Sequence, residues 1–170
     1  MERGAMKMKR ILLFLALLSL CCSDSGISPE SRDFNLRLRY GIGAKSELNT
    51  FQNTYTKDLI LDGTVTAPFV LSDAELQEIK RKMIEIDFFS YPDTFTLVRT
   101  DTIVVSLEPY PTYNFEVKYN SSIKRLHWDD GIITSNQKAT RLRELIALIR
   151  TIIEAKPEYR QLPPARGGYL

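Results

Sequence analysis

Apolar and polar side chains alternate from residue 34 to 40, with Phe34, Leu36, Leu38 and Tyr40 on one side and Asn35, Arg37 and Arg39 on the other. A period of two with one apolar face predicts a half-buried strand. The Gly-, Ser- and Asn-containing stretch 41–50 predicts a loop. Residues 53–61 and 64–70 are rich in Thr, Tyr, Val, Ile and Leu and predict two further strands. Asp62-Gly63 between them suits the positive φ angles of a tight type I′ turn, so the pair reads as a hairpin.

The period then changes. Ser72 followed three residues later by Glu75 predicts a capping box, with Leu71 and Leu76 placed as a hydrophobic staple. Leu76, Ile79, Met83 and Ile86 recur at helical spacing, and Glu78 and Lys82 are spaced for an i,i+4 ion pair on the opposite side. Pro92 and the pair Phe88-Phe89 predict a packed exit loop. Ile103, Val105 and Leu107 alternate as a strand, followed by a turn at Pro109-Tyr110-Pro111. Tyr113, Phe115, Val117 and Tyr119 alternate again, and after Asn120-Ser121-Ser122 the apolar face continues through Leu126 and Trp128. A second helix is predicted from about Asn136 to Ala155, with Leu142, Leu145, Ile146, Ile149, Ile152 and Ile153 on one stripe and Pro157 as its stop.

This order, β-β-β-α-β-β-β-α, predicts a two-layer α+β domain over residues 33–158. Short connections give antiparallel strand pairs, and two amphipathic helices need one sheet face to cover. Residues 159–170, with Pro163-Pro164 and Gly167-Gly168, read as an extended tail.

Composition changes the picture mainly at the N-terminus. The chain has 170 residues, 44% hydrophobic and 26% charged, enough for one core. Its formal charge is +2, from 23 basic and 21 acidic residues. Residues 1–21 hold Arg3, Lys7, Lys9 and Arg10 against Glu2, so the rest has 19 basic and 20 acidic residues, a net charge of −1. A neutral body lacks the positive field of a nucleic-acid binder, and no nucleic-acid partner is expected.

The positive start runs into the apolar segment Ile11–Leu20, the layout of an export signal over residues 1–22. Ten helical residues reach about 15 Å, half the hydrocarbon thickness of a bilayer, too short for a spanning anchor. Cys21 and Cys22 close the segment in a context that resembles a lipobox. Cys22 is favoured for lipidation because the residue before it, Cys21, is smaller than Leu20. Residues 23–32 read as a polar tether. With no cysteine after residue 22, disulfides and thiolate chemistry are excluded from the body.

Candidate chemistry is sparse. Gly43-Ala44-Lys45-Ser46 lacks the adjacent Gly-Lys-Ser/Thr and following helix of a phosphate loop. His127 is the single histidine, so a triad or zinc site would have to use it, and it reads as an outer-face strand residue. Asp58, Glu108 and Glu116 are the acids that a carboxylate hydrolase would bring together. Strand phase instead gathers Arg37, Arg39, Lys118 and Arg125 on the open sheet face with Glu116 and His127, a surface suited to an acidic partner, with Tyr110 as a further exposed contact. No metal or cofactor is expected.

The run Tyr40 to Phe51, YGIGAKSELNTF, followed by Thr54-Tyr55-Thr56-Lys57-Asp58, resembles a group of bacterial secreted proteins and lipoproteins of unknown function. Ile86-Asp87-Phe88-Phe89, Lys156-Pro157-Glu158-Tyr159 and the Gly-Gly-Tyr-Leu ending extend the resemblance. It implies an envelope protein and brings no catalytic residues with it. The expectation is an extracytoplasmic lipoprotein, held to a membrane by its lipid anchor, that binds an envelope protein or ligand. The alternatives are a small envelope hydrolase and an inhibitor or immunity-type lipoprotein.

Overall fold

The computed structural model describes residues 33–97, 106, 108–133 and 135–170. The predicted signal, Cys21, Cys22, the tether, and all of the predicted 103–107 strand except Ser106 lie outside the described residues. Ser106 itself makes an isolated antiparallel bridge to Ile132.

Six strands form one antiparallel sheet: β1 (Phe34–Tyr40), β2 (Ser46–Asn49), β3 (Thr54–Asp58), β4 (Thr64–Pro68), β5 (Thr112–Tyr119) and β6 (Ser122–Asp129). Their spatial order is β4-β3-β2-β1-β5-β6. The first four make a meander, and the β5–β6 hairpin adds to the free side of β1. Helix α1 (Asp73–Glu85) follows β4, α2 (Gln137–Ala155) follows β6, and a single turn α3 (Pro157–Arg160) comes last.

The strands place alternate residues on each face. Leu36, Leu38, Leu48, Tyr55, Val117 and Trp128 lie on the face that is buried in one cluster with Ile79 and Met83 of α1 and the whole apolar stripe of α2. Both helices therefore cover the same face, and the domain is the expected two-layer α+β architecture. Each such fully buried aliphatic side chain contributes about 1.5–3 kcal/mol. Tyr40 and Tyr55 meet through their hydroxyls at 2.6 Å within this layer, and burial pushes the Tyr55 phenol up to about 12.

Several local expectations change. Residues 41–50 are not one loop but a tight turn, closed by Ala44 N–H donating to Gly41 O at 3.0 Å, followed by β2. Ser-Glu-Leu-Asn carries one apolar residue, Leu48, so its strand character comes from pairing with β1 and β3 and not from its own pattern. The β3–β4 connection spans residues 59–63. Leu59 N–H donates to Gly63 O at 2.8 Å, and the left-handed residues are Ile60 and Gly63, not Asp62 with Gly63. The two-residue hairpin with both φ positive occurs instead at Asn120-Ser121, between Tyr119 and its partner Ser122.

Helix α1 has the expected capping box: Glu75 N–H donates to Ser72 Oγ, and Ser72 N–H donates to the Glu75 carboxylate at 2.7 Å. Leu71 and Leu76 are both buried, as the staple requires. Lys82 pairs not with Glu78 but with Glu85 at 2.8 Å and, across to α2, with Glu144 at 3.0 Å. Helix α2 is capped by Asn136, whose side chain accepts from Ala139 N–H at 3.1 Å.

The C-terminal residues lie against the domain. Tyr159 packs edge-on to Tyr55, Arg166 bridges to Ile60 and pairs with Asp62 at 2.5 Å, and the Tyr169 hydroxyl donates to Asp58.

Candidate binding face

The register of the sheet fixes which side chains meet on the face opposite the helices. One row crosses Glu47 (β2), Arg39 (β1), Asn114 (β5) and His127 (β6). The next crosses Asn49, Arg37, Glu116 and Arg125. Adjacent strands stand about 4.8 Å apart, so β1 and β6 arginines flank a strip roughly 10 Å wide with β5 as its floor. Over that strip lies a depression of about 300 Å³, lined by Arg37, Arg39, Arg125, Asn114, Glu116 and His127, with Asp93 at its rim.

The charges on this face are mostly compensated in pairs. Glu47 lies 3.2 Å from Arg37 Nε and 3.7 Å from Arg39 Nε, and Arg125 lies 3.3 Å from Glu116. Two guanidiniums thus share one carboxylate at the β1 side. Arg37 Nε is buried and, despite its proximity to Glu47, is not aligned to donate a hydrogen bond. Although that Nε is covered, the Arg37, Arg39 and Arg125 side chains as a whole are 44%, 52% and 68% exposed, so each pair adds at most about 1 kcal/mol to stability and a partner's charges can replace them at small cost.

His127 is held between two acceptors. Its Nδ1 is 2.8 Å from Asn114 Oδ1 and its Nε2 is 3.3 Å from Asp129 Oδ2, while Thr112 Oγ1 donates to Asp129 at 2.6 Å. The ring therefore has partners at both nitrogens, and neither is an activatable hydroxyl.

The structure brings Arg37, Arg39 and Arg125 together around the depression. Lys118 shares their face but pairs in register with Asn35 and Ile123, one row beyond it. Tyr110 does not join them. It packs over Gly131 and lines a separate depression of about 610 Å³ with Gly43, Glu108, Pro109, Thr112 and Leu170. Nor do the three acids converge: Asp58 on β3 and Glu116 on β5 are three strand positions apart, about 14 Å, and Glu108 is at the Tyr110 depression.

Sequence reasoning missed Glu47, because β2 was read as loop, and Asn114 as a partner of His127. Asp130 is buried and takes a bidentate pair from Arg143, Nε at 2.8 Å and Nη2 at 2.5 Å, and Arg143 also donates to Ile132 O at 3.0 Å. This pair ties the exit of β6 to α2 on the helix side. An Arg six residues into a predicted helix, aimed back at an Asp at its entrance, was the available signal.

Fold and face together define an α+β domain with one sheet face covered by helices and the other left polar and charged. No family model matches the chain, and no curated protein or solved structure matches it either. Among the described residues no helix is long and apolar enough to cross a membrane, and no group of three or more His, Cys, Asp or Glu is placed to hold a metal.

Proposed function

We propose that this protein is a membrane-tethered extracytoplasmic binding module, anchored through lipidated Cys22, that engages a protein or ligand through its open sheet face. The observation that carries the reading is the strip of Arg37, Arg39 and Arg125 around one depression, on the face that the helices leave bare. Pairing with Glu47 and Glu116 restrains these guanidiniums, which lowers the entropy lost when an acidic group docks on them. Arg37 and Arg39 share Glu47, so an incoming carboxylate or phosphate completes a charge balance there and does not displace a full one. The leader and the cysteine pair support the envelope location.

Replacing Arg37, Arg39 and Arg125 together by Gln, which adds no carboxylate beside Glu47 and Glu116, tests the face. Capture of partners by the full-length protein in intact cells should fall by tenfold or more, with the melting transition changed little because the pairs are exposed. Undiminished capture would move the binding surface elsewhere.

A further inference from the structure

The two edges of the sheet are treated differently. Along β6 the edge is capped at one point: His127 N–H donates to Asp93 O at 2.7 Å, and Phe95 N–H donates to His127 O at 2.8 Å. Along β4 the edge is open among the described residues. Residues Asn53 and Phe69 pair, as do Leu59 and Gly63, with N–H to O distances of 2.7 and 2.8 Å. Antiparallel ladders alternate, so Val65 and Ala67 turn their backbone groups toward β3, and Thr64, Thr66 and Pro68 turn theirs outward. Those outward residues are also the exposed ones.

We propose that β4 pairs antiparallel with β4 of a second copy of this chain, about a two-fold axis at Thr66, joining two six-stranded sheets into one. In that register Thr66 exchanges its N–H and C=O with Thr66 of the other copy. Thr64 N–H meets the Pro68 carbonyl on either side, and Val65 stands opposite Ala67. Residues 63–71 carry no charge, so self-pairing sets no like charges against each other. The ends match as well. Leu61 is 73% exposed and Val70 49%, and the two-fold brings the Leu61 end of each strand to the Val70 end of the other.

The same geometry limits the assembly to two. Pairing uses up the β4 edge of each copy, the β6 edge is capped at His127 by Asp93 and Phe95, and Pro68 has no N–H with which to extend the ladder. A five-residue strand makes a small interface, so the dimer is weak in dilute solution and strengthened by confinement on a surface.

The test uses the full-length chain in detergent, with Cys21→Ser and Cys22→Ser so that an introduced cysteine stands alone. Directly opposed residues of a hydrogen-bonded pair have Cα atoms about 5.5 Å apart, within disulfide range. Thr66→Cys should give a disulfide-linked dimer on mild oxidation, and Ile123→Cys on β6 should give at least tenfold less. In sedimentation, the protein with the native Thr66 should pass from monomer to dimer, and no further, as concentration rises. Thr66→Pro removes the outward N–H and the exposed 2.7 Å hydroxyl contact to Thr56, so it should abolish the dimer and lower the melting transition no more than Thr66→Val does. Equal cross-linking at positions 66 and 123, a monomer at every concentration, or assemblies larger than two would each overturn the proposal.

Discussion

Asn120 and Ser121 hold left-handed φ angles of 46° and 64° to close the β5–β6 hairpin. Asn tolerates that region through its short polar side chain, whereas Ser pays about 1–2 kcal/mol for it. Glycine escapes that cost and loses roughly 0.5–1 kcal/mol to its greater freedom when unfolded. The balance predicts that Ser121→Gly stabilises the domain by about 0.5–1 kcal/mol. A urea unfolding midpoint that stays put or falls would contradict it. This turn also shows how far single residues are readable. Asp62-Gly63 has the better type I′ sequence, yet Asp62 is not left-handed, because Ile60 takes the unusual angle and Arg166 from the C-terminus fixes the loop. That contact is 104 residues away along the chain and leaves no local trace.

At the scale of elements, α1 is specified where it begins. Ser72→Ala should cost about 1 kcal/mol, read as a lower unfolding midpoint. Glu75 has a second task. Burial alone would raise its pKa, but the Ser72 amide, the Ser72 hydroxyl and Lys156 at 3.0 Å outweigh that and hold it below its ordinary value. A carboxylate with a depressed folded-state pKa adds stability above its unfolded value and loses it as pH falls through the folded one. Acidification below about pH 4 should therefore remove the Glu75 contribution, and Glu75→Gln should show a shallower loss of stability across that range. Identical acid profiles would reject the assignment. Both long helices were legible because their apolar stripes repeat over three or more turns. The strand β2 was not, because Leu48 is its one core residue, and with β2 went the position of Glu47. The ion pair expected between Glu78 and Lys82 lost to Glu85 and Glu144, since Lys82 sits where α1 faces α2.

Over the whole molecule, strand order decides which charges become neighbours. Strand phase placed Arg37, Arg39, Lys118 and Arg125 on one face, which the structure also gives them. It carried no information on β5 adding beside β1, the step that sets Glu116 between Arg37 and Arg125 and leaves Lys118 a row away. The proposed anchor is a separate matter: if Cys22 is lipidated, Cys22→Ser should shift the protein from the membrane fraction to the soluble one, and unchanged fractionation would contradict that. The account as a whole rests on the bare sheet face being the surface that recognises a partner. The direct measurement is site-specific photo-cross-linking in intact cells, with the reactive group placed either at Arg39 on that face or at Ile84, half exposed on α1. The account predicts a discrete adduct from position 39 and none from position 84; adducts from position 84 alone would contradict it.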